Sequence, residues 1–101
     1  MVLYHRTTKA NAEQIVARKA FEDRSGRVGN SGILSGVWLT SAPVAPYDGL
    51  HGTVLLKVTI HKTESELSKY ERTEQGNLYR EFVIPAMWFK HASTIEIADD
   101  P

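Results

Sequence analysis

The stretch from Thr53 to His61 constrains this chain more than any other. Val54, Leu56, Val58 and Ile60 recur at every second position, with Leu55, Lys57, Thr59 and His61 between them. Period two marks a strand that buries one face. Such a strand needs partners for its backbone, so a sheet must form around it. The chain has 101 residues, which bounds it to one domain over 1–101 with one modest core. Its 42% hydrophobic and 24% charged content is that of a globular protein, not of a disordered chain or a coiled coil.

Other elements follow from local signals. Val2-Leu3-Tyr4-His5 reads as a strand, and Thr8 caps a helix over Lys9 to Lys19. Ala12, Ile15, Val16, Lys19 and Ala20 fall on its inward stripe, leaving Lys9, Glu13, Gln14 and Arg18 outside. Arg24 to Gly36 is rich in glycine, serine and asparagine and reads as a loop. It lacks the lysine and spacing of a phosphate-cradling loop. Val37 to Thr40 is a second strand, followed by Pro43 and a turn through Pro46 to Gly49. Thr63-Glu64-Ser65-Glu66 has the capping pattern of a short helix over Ser65 to Lys69. Glu74 to Asn77 is a turn and Leu78 to Ile84 a strand. Pro85 opens a short helix through His91, and Thr94 to Ile97 ends the series. This order predicts an α+β fold with two small packed sheets.

Composition excludes several functions. Without Cys there is no disulfide, thiolate nucleophile or Cys-bound zinc, which suits a reducing, cytoplasmic setting. No apolar run is long enough to span a membrane, so no membrane partner is expected. His5, His51, His61 and His91 lack metal-ligand spacing, and no serine sits in a hydrolase elbow. The net charge is zero, which disfavours nonspecific nucleic-acid binding. Yet residues 1–30 carry six cations against three anions, and residues 61–101 five against eight. Either this is an ordinary dipolar surface, or a basic half receives a phosphorylated small molecule while an acidic half supplies a carboxylate.

Three residues are candidates for chemistry. Glu81 alternates with Tyr79 and Val83 on one face of its strand; it is either a solvated strand residue paired with a cation or a carboxylate fixed at a cleft. His5 stands at a strand end just before a helix N-terminus, a place for a structural hydrogen bond or a ligand contact. Trp38 is either core or a face on which a planar ring stacks.

Three segments carry a family resemblance: Leu3-Tyr4-His5-Arg6-Thr7-Thr8, Gly36-Val37-Trp38-Leu39-Thr40-Ser41 and Tyr79-Arg80-Glu81-Phe82-Val83-Ile84-Pro85. In order, they resemble the motif pieces of the ADP-ribosyltransferase fold in its His-Tyr-Glu branch. Gly36 to Thr40 also resembles a run in RNA 2′-phosphotransferases. The resemblance implies a compact, bacterial-type member with ADP-ribosyltransferase-like split β-sheets, one main N-terminal helix and two short helices. It implies NAD as substrate, with ADP-ribose passed to a protein, nucleic-acid or small-molecule acceptor, or to water. For a toxin-like member it implies an antitoxin or immunity partner.

By the same resemblance His5 holds the adenosine ribose beside Thr7, Trp38 meets the nicotinamide, and Thr40 or Ser41 supports the pocket. Glu81 binds the nicotinamide-ribose hydroxyl and stabilises the oxocarbenium-like transition state. Arg6 replaces the family glycine, where it narrows the pocket or binds phosphate. Tyr79, two residues before Glu81, does not favour arginine as acceptor. An Arg-Ser-Glu register is the competitor, with Arg6 first and Thr40-Ser41 second; the His5 register keeps Leu3 and Tyr4 in the family's apolar positions. Two other functions stand beside this one. They are a metal-independent ribonuclease with His5 and Glu81 as acid and base and Arg6 or Arg80 on phosphate, and an inactive module that binds a nucleotide or a protein.

Overall fold

The computed structural model describes residues 1–21, 24–27, 33–43, 53–73, 76, 78–89 and 93–98. Six strands form one antiparallel sheet: β1 (Val2–Thr8), β2 (Arg24–Arg27), β3 (Ile33–Thr40), β4 (Thr53–Ile60), β5 (Glu81–Ile84) and β6 (Ser93–Ile97). The order is β2-β3-β1-β4-β6, with β5 also paired to β3. β4 lies between β1 and β6. It pairs β1 continuously from Val2↔Thr59 to Thr8↔Thr53.

Helix α1 (Lys9–Arg18) starts where Thr8 Oγ1 accepts the Asn11 N–H at 3.2 Å. It ends at Lys19, whose φ of 53° is left-handed, while the Ala20 N–H reaches back to the Ile15 carbonyl at 3.3 Å. Thr63 caps α2 (Glu64–Leu67) in the same way, through the Glu66 N–H. That helix lasts about one turn before a 3-10 turn at Ser68–Tyr70, and Ala86–Phe89 after Pro85 is also 3-10.

These observations correct the expected class of α+β with ADP-ribosyltransferase-like split sheets, one main N-terminal helix and two short helices. Among the described residues the fold is chiefly a single antiparallel sheet with two short α-helices, of ten and four residues. The physical reason lies largely in the stretch read as a loop. Arg24↔Gly36 through Arg27↔Ile33 form a hairpin, because a ladder needs only backbone N–H and C=O groups, which glycine and serine supply as well as valine does.

Smaller corrections follow. β1 runs to Thr8 rather than His5, and β5 begins at Glu81 rather than Leu78, which is fully exposed. Lys19, placed on the inward stripe, is exposed at the helix end. The turn at Pro46 to Gly49, His51, His91 and most of the Glu74 to Asn77 turn lie outside the described residues.

The core forms on one sheet face. Leu3 of β1, Val37 and Leu39 of β3, Leu56, Val58 and Ile60 of β4, and Phe82 and Ile84 of β5 are buried there. Ala12, Phe21, Leu67 and Phe89 close over them. Leu55 and Val83, on the other face by alternation, are also buried but stand outside this cluster. Among the described residues no helix is long and apolar enough to cross a membrane.

Candidate functional site

β1 and β3 share one paired rung, Tyr4↔Thr40. Continued pairing would set Arg6 against Trp38. Instead the His5 side chain bridges the strands, Nδ1–H donating to the Trp38 carbonyl at 2.7 Å. A carbonyl oxygen only accepts, so the ring donates from Nδ1. Phe21 braces the imidazole edge-on, with ring centroids 5.2 Å apart and planes at 85°, and rests in turn on Phe89 at 4.9 Å.

The parting strands leave a cleft of about 180 Å³. His5 and Thr7 line it from β1, Gly36, Val37 and Trp38 from β3, and Phe21 from the segment after α1. Helix α1 adds Asn11, Gln14, Ile15 and Arg18. Their spacing of three, four and seven residues places them on one helix face. Two amides and a guanidinium therefore border the same space as His5. Asn11, Gln14, Arg18 and Phe21 were not singled out from sequence as site residues. The signal for the first three was the polar row itself, which directly follows a strand ending in Thr7-Thr8.

Glu81 lies elsewhere. Thr40 pairs with Tyr4 on one side and with Glu81 on the other, and residues paired across antiparallel strands project to the same face. Tyr4, Thr40 and Glu81 thus form a row. Alternation adds Arg6, Trp38 and Val83 to that face and sends His5 and Thr7 to the opposite one. Trp38 is diagonal to Glu81, a relation that sets the two residues about 7–8 Å apart. The structure therefore groups Arg6, Trp38, Thr40 and Glu81, and separates His5 from Glu81 by the plane of the sheet. Trp38 also borders the cleft, where its backbone carbonyl takes the His5 bond while its ring projects to the Glu81 face.

The two hydroxyls expected to support the pocket are occupied with backbone. Thr40 Oγ1 donates to the Ala42 carbonyl at 2.8 Å. Ser41 Oγ accepts the Arg80 N–H at 2.8 Å, and the Ser41 N–H donates to the Arg80 carbonyl at 2.9 Å.

A charged cluster borders the start of β5. The Arg80 guanidinium lies 5.1 Å from the Phe82 ring centroid, donates to Glu71 Oε1 at 2.7 Å and also pairs with Glu64. The hydrogen bond from Arg80, then that from Thr73, holds the Glu71 carboxyl below its ordinary range. Arg80 is held more firmly protonated by the same partners, Glu71 first. Among the described residues no group of three or more His, Asp or Glu is placed to hold a metal ion. No protein-family model, curated protein or solved structure matches this chain.

Proposed function

We propose that the chain binds NAD at the β1–β3 seam and transfers its ADP-ribose to an acceptor or to water, acting in the cytoplasm. The observation that carries this reading is the position of Trp38, whose backbone borders the cleft beside His5 and whose side chain stands diagonal to Glu81 on the adjacent strand.

The cleft is smaller than the roughly 300–1,000 Å³ that encloses a whole small ligand, so it takes one end of the dinucleotide. His5 and the Thr7 hydroxyl meet ribose hydroxyls there. Asn11 and Gln14 offer paired donors and acceptors to a base edge, and Arg18 meets the pyrophosphate. Trp38 gives the nicotinamide a flat wall. As the bond from C1′ to the pyridinium nitrogen breaks, its electron pair leaves with neutral nicotinamide and positive charge develops on the ribose, which the Glu81 carboxylate stabilises. The acceptor then bonds to C1′ and gives its proton to Glu81.

Incubation with NAD and chromatography of free nicotinamide tests this. The expected result is release that Glu81→Gln abolishes while NAD binding persists. Absence of nicotinamide, together with no rise in melting temperature at millimolar NAD, refutes it.

One observation favours a second reading, a nucleotide-binding module without catalysis: Glu81 is not among the residues lining the cleft. That reading predicts binding without nicotinamide release. The ribonuclease reading draws no such support, because His5 and Glu81 project to opposite faces and cannot flank one phosphate.

A further inference from the structure

Glu81 is the first residue of β5, and the first residue of a short strand ordinarily frays. Here its backbone is held on both sides. Across β3 it pairs with Thr40. On the other side its N–H donates to Thr73 Oγ1 at 2.9 Å, and its carbonyl accepts the Arg72 N–H at 2.7 Å.

The Thr73 hydroxyl spends its own proton on Glu71 Oε2 at 2.7 Å. Glu71 Oε1 accepts from the Arg80 guanidinium at 2.7 Å, and Arg80 precedes Glu81 in the chain. The backbone bridge Glu71↔Phe82 fixes the same segment one residue further on. Guanidinium, carboxylate, hydroxyl and amide thus close a ring around the residue 80–81 peptide. Each proton in it has one direction. Arg80 only donates and a carboxylate only accepts, so the Thr73 hydroxyl must donate to Glu71 and is left with a lone pair for Glu81.

We propose that Thr73 and Glu71 are positioning residues for Glu81, with Arg80 fixing the Glu71 carboxylate; this rests on the reading of Glu81 as the catalytic carboxylate. The ring touches no part of the cleft. It governs where the carboxylate stands relative to Trp38 and not how the substrate is gripped, and a displacement of about 1 Å is enough to lower turnover about a hundredfold. Valine at 73 keeps the shape and the β-branch but removes the acceptor. Serine restores it.

Nicotinamide release is measured at varied NAD for the wild type, Thr73→Val, Thr73→Ser and Glu71→Gln, with rates expressed per folded molecule from parallel melting curves. The expected result for Thr73→Val is a kcat lower by about ten- to a hundredfold with KM changed less than about twofold, because transition-state contact is lost and ground-state binding is not. Thr73→Ser recovers most of it. Glu71→Gln, which keeps one acceptor oxygen, falls between and serves as the decisive variant if Thr73→Val fails to fold. An active wild type with unchanged kcat in Thr73→Val, or in Glu71→Gln where Thr73→Val does not fold, overturns the positioning role alone, as does a loss confined to KM. A wild type that releases no nicotinamide overturns the catalytic reading of Glu81 and the positioning role with it.

Discussion

Gly36→Ala probes the joint between β3 and β5. A Cβ built on Gly36 comes within 2.8 Å of Val83 Cγ1 and 3.1 Å of the Ile84 carbonyl oxygen, both on β5. Neither neighbour yields easily. Val83 is buried and β-branched, so few rotamers are open to it, and the Ile84 peptide belongs to the rung with Val37. Forcing a methyl into such a place costs about 1–3 kcal/mol. Alanine returns about 0.5–1 kcal/mol by restricting the unfolded chain. The net destabilisation is then about 0–2.5 kcal/mol, centred a little above 1 kcal/mol, and each kcal/mol lowers the melting temperature of a domain near this length by roughly 4–8 °C.

A double-mutant cycle isolates the clash. Val83→Ala alone costs about 1.5–3 kcal/mol of burial, but in the Gly36→Ala background it also removes the closest contact. The double variant is therefore expected to be more stable than additivity predicts by about 1 kcal/mol, read from urea midpoints with unchanged slopes. A Gly36→Ala protein at least as stable as the wild type would refute the reasoning, and so would strict additivity.

Two further outcomes follow. The Glu71 carboxyl is held below its ordinary value of 4.5 in the folded chain, so its contribution is present above that value and is lost as pH falls through the folded one. The stability gap between wild type and Glu71→Gln should hold near neutrality and shrink below about pH 4.5; an equal gap at about pH 3 and about pH 7 in urea titrations would refute the assignment. Lys19 sits at φ 53°, where a side chain is strained and glycine is not. Lys19→Gly is expected to raise stability by about 1 kcal/mol, checked by thermal melting, and a fall would show that the lysine side chain earns its place by contacts outweighing that strain.

The parts of the molecule written in side-chain chemistry were legible in the sequence. Alternation from Val54 to Ile60 marked β4, and Thr8 and Thr63 marked two helix starts because a hydroxyl at that position has one evident task. The β2–β3 hairpin was not legible. Its ladder from Arg24 to Gly36 runs through backbone groups that glycine and serine do not advertise. The alternation of Glu81 with Phe82 was readable, but its relation to His5 was not. That relation depends on the register Tyr4↔Thr40, and a shift of one residue would have put both on the same face. Asn11, Gln14 and Arg18 were visible as a polar helical row, yet nothing in the row distinguishes a face against a cleft from a face against water. The strand start at Glu81 was hidden for a different reason. Tyr79 and Arg80 continue the alternation, but Arg80 is drawn to Glu64 and Glu71.

The lone rung between β1 and β3 has a mechanical consequence. Among the described residues β1 pairs with β4 along its length and with β3 at one rung, beside which the His5 side chain bonds to Trp38. Beneath that seam the two halves share one apolar core, whose side chains tolerate small slides and rotations better than a ladder of directional bonds does. The expected outcome is an angle between the halves that gives more readily than the β1–β4 ladder, and the cleft lies along that seam. Replacing His5 removes a cross-tie, and its signature would be faster amide exchange along the β3 edge while the β1–β4 amides keep their protection.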